Sequence, residues 1–233
     1  MRNSTTRTHF WPAAILTVIS AGAAYGDTVL LFERSNGFRL VSSSIPDYGD
    51  RVTATVQNGF RYGGEANTPN VVASYRDQTS AWSTSYGDLI NVIYTSAADG
   101  ILEATLTADP GYRVALHSFD LAGWNRTDYT INSVAVLNEA NQPLYFQSNV
   151  LVQGDANGPQ HTTFNFVDLV APAITIRFDA ANIMTGFGAQ NIGLDNVRFS
   201  QVPEPSAGLI ALLGATLSLG ARARARRRRR PPA

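Results

Sequence analysis

Between Asp27 and Ser200 the chain alternates apolar and polar residues in short runs rich in Val, Ile, Thr, Phe and Tyr. A period of two suits a half-buried strand and not a helix. About ten such runs are expected: Thr28–Phe32, Arg51–Val56, Val71–Tyr75, Asp88–Thr95, Ile101–Ala108, Arg113–Leu121, Thr130–Leu137, Thr162–Val167, Ala173–Asp179 and Gly193–Ser200. Turn-forming clusters separate them, among them Pro46 to Asp50, Gly63-Gly64, Asp99-Gly100, Asp109-Pro110-Gly111, Asn141-Gln142-Pro143 and Gly154 to Pro159. In "LEATLTADPGYRVALHSFDL" the apolar set Leu102, Ala104, Leu106, Ala108 is followed by a turn and then by Val114 and Leu116, which predicts a hairpin. The pattern predicts an all-β, antiparallel β-sandwich with no internal repeat.

The chain contains no cysteine, which excludes disulfides, thiolate nucleophiles and zinc–thiolate sites. Its zero net charge is a sum of opposites. Residues 27–206 carry nine arginines and all 18 carboxylates, a net of −9. An acidic body lacks the basic face that phosphate neutralisation needs, so no nucleic-acid partner is expected.

The two ends differ from the middle. Residues 1–26 combine Arg2 and Arg7, an apolar run from Phe10 to Ala24, and small residues at Ala24 and Gly26. This predicts a signal peptide cut before Asp27 and export through the Sec machinery; a retained anchor is the alternative, and the run is short for one. At the other end Val202-Pro203-Glu204-Pro205 precedes the uncharged residues 207–221 and the arginine-rich residues 222–230, with Arg226, Arg227, Arg228, Arg229 and Arg230 in one block. Residues 207–221 predict a hydrophobic helix about 22 Å long, short for a membrane core of about 30 Å. The arginines favour the cytoplasmic side and anionic headgroups, so the body is expected outside. The paired prolines predict a helix-free, extended approach to the bilayer.

These three parts, in this order, resemble the PEP-CTERM sorting signal of Gram-negative bacteria. The resemblance covers residues 202–233. It implies a precursor held transiently in the inner membrane, cleaved by an exosortase-like transpeptidase, and passed to the cell surface or the extracellular matrix, where exopolysaccharide is the implied partner. Within the body, "IGLDNVRFS" resembles the last strand of galactose-binding-like jelly rolls, and "GYRVALHSFDLAGW" with "YTINSVAVL" looks like their paired core strands. That likeness, best over residues 100–199, implies a carbohydrate-binding-module-like jelly roll over residues 27–200. It also implies a structural calcium at Asp195 with Glu33 near the first strand, since hard oxygen ligands suit calcium. A plain bulge at Asp195-Asn196 is the competing reading.

Catalytic motifs are absent from the sequence. His117 and His161 have no carboxylate and nucleophile at an interpretable spacing, and both read as structural or surface histidines. Glycoside hydrolysis needs two carboxylates; Glu33, Glu65, Glu103 and Glu139 are scattered, and most aspartates sit in turns. No catalytic residue is therefore expected. Aromatic residues in polar loops point to sugar binding, because sugars stack their C–H faces on Trp and Tyr while polar groups take the hydroxyls. Trp82 and Tyr86 lie in "RDQTSAWSTSYGD"; Trp124 lies beside Asn125, Arg126 and Asp128 in "DLAGWNRTDYT". Both stretches read as loops; the competing reading, which weighs more for Trp82 than for Trp124, is that each Trp caps the sandwich core. Three functions follow as expectations: a non-enzymatic polysaccharide-associated surface protein, a secreted glycan-degrading hydrolase, and a structural matrix component without a discrete ligand.

Overall fold

A computed structural model of the chain describes residues 26–34, 43–44, 52–53, 56–57, 60–61 and 67–204. The expected signal peptide up to Tyr25, the turns at 46–50 and 63–64, Pro205, the apolar segment 207–221 and the arginine block lie outside the described residues. The strands are β1 (Thr28–Leu30), β2 (Glu33–Arg34), β3 (Ser43–Ser44), β4 (Val52–Thr53), β5 (Val56–Gln57), β6 (Phe60–Arg61), β7 (Asn67–Thr68), β8 (Val71–Tyr75), β9 (Thr79–Trp82), β10 (Val92–Thr95), β11 (Ile101–Ala108), β12 (Tyr112–Gly123), β13 (Tyr129–Asn138), β14 (Pro143–Val152), β15 (Thr162–Ala171), β16 (Ala173–Asp179) and β17 (Ile192–Pro203). A single 3₁₀ turn, Gly188–Asn191, precedes β17, and no α-helix occurs among the described residues.

Two antiparallel sheets carry the body. One runs β15-β12-β17-β10-β9-β3, with β1 beside β17; the other runs β14-β13-β16-β11-β8. Two small ladders, β2-β6-β5 and β4-β7, complete the pairing. The inward residues of both sheets meet in one core: Leu102, Leu106, Ile176 and Phe178 from one, Leu116, Phe119, Leu194 and Phe199 from the other. Each such side chain stabilises the fold by about 1.5–3 kcal/mol through area removed from water. Phe119 stacks on Phe164 with centroids 4.9 Å apart. The sequence expectation of an all-β, antiparallel two-layer body holds.

The expected hairpin does not form. β11 pairs with β16 and β8, whereas β12 pairs with β15 and β17. Asp109-Pro110-Gly111 carries the chain from one sheet to the other, so the two apolar faces meet across the core instead of lying side by side. Alternation records which face is buried but not which strand is the neighbour. For the same reason β12 and β13, expected as paired core strands, sit in different sheets. A long hairpin does form between β13 and β14, closed by Asn138, whose Oδ1 accepts the amides of Ala140 and Gln142.

Two bulges shape the central ladder. Leu116 pairs with Phe199 and Ser118 with Arg198, so β12 has one extra residue at His117. The inward set switches there from Val114 and Leu116 to Phe119 and Leu121. Between Ser118 and Asp120 the extra residue is on β17, whose inward set switches from Val197 and Phe199 to Leu194 and Ile192. Asn196, at φ 51°, supplies that second kink; Asn tolerates the left-handed region better than most residues. The two kinks offset each other, so the register lost at His117 is restored at Asp120.

β12 and β17 define two poles. Tyr112 pairs with Pro203 at one end, and Gly123 pairs with Ile192 at the other. At about 3.3 Å per residue the poles are roughly 35 Å apart. β17 continues past Ser200 and takes in Val202 and Pro203, the first half of the Pro-Glu-Pro segment. Beyond it the Glu204 amide donates to the Gly111 carbonyl at 2.8 Å, and Arg113 Nε donates to Glu204 Oε1 at 2.9 Å. The described chain therefore leaves the body at the Pro203 pole.

Candidate ligand-binding site

The opposite pole is built from loops that follow β9, β12 and β16. Trp82 ends β9 and pairs with Val92 of β10, so its diagonal neighbour on the same face is Tyr94. Trp82 thus stands on a strand and not in the loop that its polar surroundings suggested. The loop begins after it. Ser85, Gly87 and Asn91 have φ of 74°, 52° and 65°, and this coiled segment folds Tyr86 back onto the sheet. Gly87 is required there, because a Cβ would come within 1.7 Å of the Gln160 carbonyl oxygen. Tyr86 then bridges to Trp124. Gly193 makes room for the Tyr86 ring, since a Cβ there would lie 2.7 Å from Tyr86 Cδ1.

Trp124 follows the last residue of β12, and its amide donates to the Asn191 carbonyl at 2.7 Å. Asn125 and Arg126 come next at φ 58° and 54°. Asn accepts that conformation readily, whereas for Arg it costs about 1–2 kcal/mol. Asp128 closes the turn: its Oδ1 accepts the amides of Gly154 at 2.8 Å and Asp155 at 3.0 Å. Through that oxygen it holds the 154–158 loop in place. Asn125 and Arg126 are exposed on the same turn.

Together these segments form an open pocket of about 160 Å³, lined by Trp82, Tyr86, Tyr94, Trp124, Phe187 and Gln190. Tyr86 and Tyr94 stack at 6.5 Å with an interplanar angle of 21°. Phe187 meets Trp124 edge-on, at 5.1 Å and 81°, although it is 61% exposed. The Tyr86 hydroxyl donates to the Gln190 carbonyl, and burial pushes its pKa far above the ordinary phenol value. Tyr86 is therefore a neutral donor committed to the loop. No charged side chain lines the pocket. It offers flat aromatic faces and an amide, which suits a ligand with apolar C–H faces and hydroxyl edges.

Of the residues expected to bind ligand, the structure brings Trp82, Tyr86 and Trp124 into one pocket. It assigns Asp128 to loop support and leaves Asn125 and Arg126 on the rim turn. Tyr94, Phe187 and Gln190 were missed. Tyr94 is concealed in the apolar run of β10. The signal for Phe187 was visible, as an aromatic residue between Gly186 and Gly188 in a polar loop.

The other singled-out residues have structural partners. His161 Nδ1 lies 2.8 Å from Asp88 Oδ1 and ties the 85–91 loop to β15. His117 Nε2 lies 2.9 Å from Ser200 Oγ and 3.4 Å from Asp27 Oδ1, with Arg198 also on Asp27. Both contacts converge on one imidazole nitrogen, so this is not the arrangement in which an acid orients a base through its second nitrogen. Asp195 sits at the β17 bulge and accepts the Asn196 amide at 2.7 Å. Asn196 Nδ2 in turn donates to Asp120 Oδ2, while Thr163 donates to Asp120 Oδ1. The bulge reading accounts for these contacts. Among the described residues no three acidic or histidine side chains gather as a metal site, and the Glu33 side chain lies outside them.

No protein-family profile matches the chain, and a comparison with curated proteins gives no match. Among solved structures, the chain is similar to the enzymatically active domain of bacteriophage CBA120 tailspike protein 4, at 17% identity and a TM-score of 0.27. That likeness covers 57% of this chain and 19% of the tailspike chain, so it spans about a fifth of the longer protein. A likeness this slight carries nothing about activity.

Proposed function

We propose that this chain is an exported, non-enzymatic surface or matrix protein of a Gram-negative bacterium that holds polysaccharide in its aromatic pocket. Sec exports the precursor, the segment 207–221 with its arginines anchors it transiently in the inner membrane, and an exosortase-like enzyme processes it at Val202–Pro205. The body is read as a jelly roll. The alternation of successive strands between the sheets from β10 to β13 and from β14 to β17 supports that finer assignment.

One observation carries the binding reading. Aromatic residues from three separate stretches of the chain, Trp82, Tyr86 and Tyr94 in one, Trp124 in the second and Phe187 in the third, converge at the pole opposite the one where the chain leaves the body. A body tethered by its carboxyl end would hold that pocket away from the bilayer. A secreted glycan hydrolase is the runner-up. It needs two carboxylates flanking the bound sugar, and the pocket lining supplies neither, which is why binding without turnover is preferred.

The test is retention on immobilised polysaccharides of purified protein and of Trp124→Ala. The expected outcome is retention of the parent, at least tenfold weaker retention of the variant, and no release of reducing ends. Equal retention of both proteins would remove the pocket from the account. Reducing-end release would replace binding by hydrolysis. Sorting is tested separately by changing Pro203-Glu204-Pro205 to alanines, which is expected to retain the precursor mass in the membrane fraction. A calcium at Asp195 and Glu33 rests on the resemblance alone, and a higher melting temperature on adding calcium to chelated protein is its test.

A further inference from the structure

The aromatic pocket does not end at Phe187. On the far side of that ring lies a second open trough of about 310 Å³, and Phe187 and Gln190 border both. The second trough differs in chemistry. Its walls are mostly small residues, among them Ser96, Ala98, Ala181 and Ala189, with Ile183 and Met184 also lining it. The Ala180 amide donates to the Gly100 carbonyl at 3.0 Å and ties its two sides together. Small side chains let a ligand approach the backbone closely, so this trough offers peptide groups and a serine hydroxyl where the first offers rings. The first chamber alone, at about 160 Å³, is well below the roughly 300 Å³ at which small-ligand sites begin. Both chambers are open to solvent.

We propose that the two chambers form one groove that grips an internal stretch of a polysaccharide. One sugar ring stacks among Trp82, Tyr94 and Trp124. The next crosses Phe187 and lies in the small-residue trough, held by its hydroxyls. Chambers open to solvent let the chain continue in both directions, so the ligand class is a neutral glycan recognised within its length and not at a terminus. This rests on the glycan reading above and adds a second sugar position to it.

The experiment begins with an array of neutral glucans, galactans and mannans. The strongest binder is then titrated calorimetrically as a ladder from the monosaccharide to the hexasaccharide. The expected result is at least a tenfold gain in affinity between one and three units. Ala98 is exposed, so Ala98→Trp fills the second trough without disturbing the core. It is expected to erase the length gain while leaving monosaccharide affinity unchanged. Ala181→Trp, also exposed and on the facing wall, is expected to do the same, and a retained melting temperature guards against misfolding. If Trp124→Ala abolishes binding but affinity is flat with length and both fillers are silent, the second position is overturned and the glycan reading stands. If no array member binds the parent protein, both are overturned.

Discussion

At the Pro203 end of the β12–β17 ladder, backbone pairing runs to the last residue and one exposed ion pair closes it. At the Ile192 end the ladder gives way to loops, and Ser85, Gly87, Asn91, Asn125, Arg126, Gly186 and Gly188 all adopt positive φ. The first pole is mostly strand geometry; its one left-handed glycine, Gly111 at φ 91°, has no neighbour within 4 Å of an added Cβ. The second is determined by close approaches: Gly87 against Gln160, Gly123 against Thr127, Gly193 against Tyr86. A site made of rings needs fixed spacing between them. Here that spacing comes from glycines and left-handed residues that strand propensity alone would disfavour.

The largest effect that would break this contrast is at Gly123. A Cβ there would lie 1.9 Å from the Thr127 carbonyl oxygen, a backbone atom that cannot swing aside. Gly123→Val is expected to cost about 3 kcal/mol, the upper range for overpacking, read as a drop in the denaturation midpoint with altered tryptophan fluorescence. A loss below 1 kcal/mol would mean the aromatic pole is as tolerant as its opposite. Smaller and opposite in sign is Arg126→Gly, which relieves a left-handed arginine and is expected to stabilise by up to about 1 kcal/mol. At the far pole Arg113→Ala removes an ion pair whose partners are 45% and 37% exposed. Such pairs contribute about 0–1 kcal/mol, so stability should hardly move while hydrogen exchange at the Glu204 amide accelerates and the pocket is unaffected.

The smallest effect is a pH dependence near the second trough. The hydrogen bond from Arg76, aided by the Ile101 amide, holds the exposed Asp99 carboxyl below its ordinary value of 3.8. A carboxyl lowered in the folded state stabilises fully above its unfolded pKa, and that contribution disappears as pH falls through the folded one. Arg76→Ala should therefore lower stability slightly at neutral pH, where the contribution is fully present, flatten the acid limb below about pH 4, and leave stability at the most acid pH unchanged. An unchanged acid limb would show that the pair is too solvated to matter.

How much of this was legible follows the same division. Strict alternation in β11, with Leu102, Ala104 and Leu106 inward, was readable because one face is buried along its whole length. Its partner was not, because the pattern that specifies a buried face is identical for a neighbour in the sheet and for one across the core. β14 was overlooked. It is a free edge with Phe146 62% exposed and Asn149 at φ 52°, and its burial does not alternate. β9 was taken for a loop since Thr79 to Ala81 are small or polar. At the site, Trp82, Tyr86 and Trp124 stood out as aromatic residues in polar company. Tyr94 did not, because a tyrosine among Val92, Ile93 and Thr95 looks like core.

The position of β17 within its sheet has a mechanical meaning. It is an interior strand, flanked by β12 on one side and by β1 and β10 on the other. Its hydrogen bonds lie across its axis. A load applied to the chain beyond Glu204 runs along that axis and is shared in shear, mainly along the β12 ladder and also by the shorter pairings with β1 and β10, where a tether on an edge strand would peel one rung at a time. Under the proposed carboxyl-terminal anchoring, the body would hang from an interior strand, the element best placed to resist being drawn out by flow or drag.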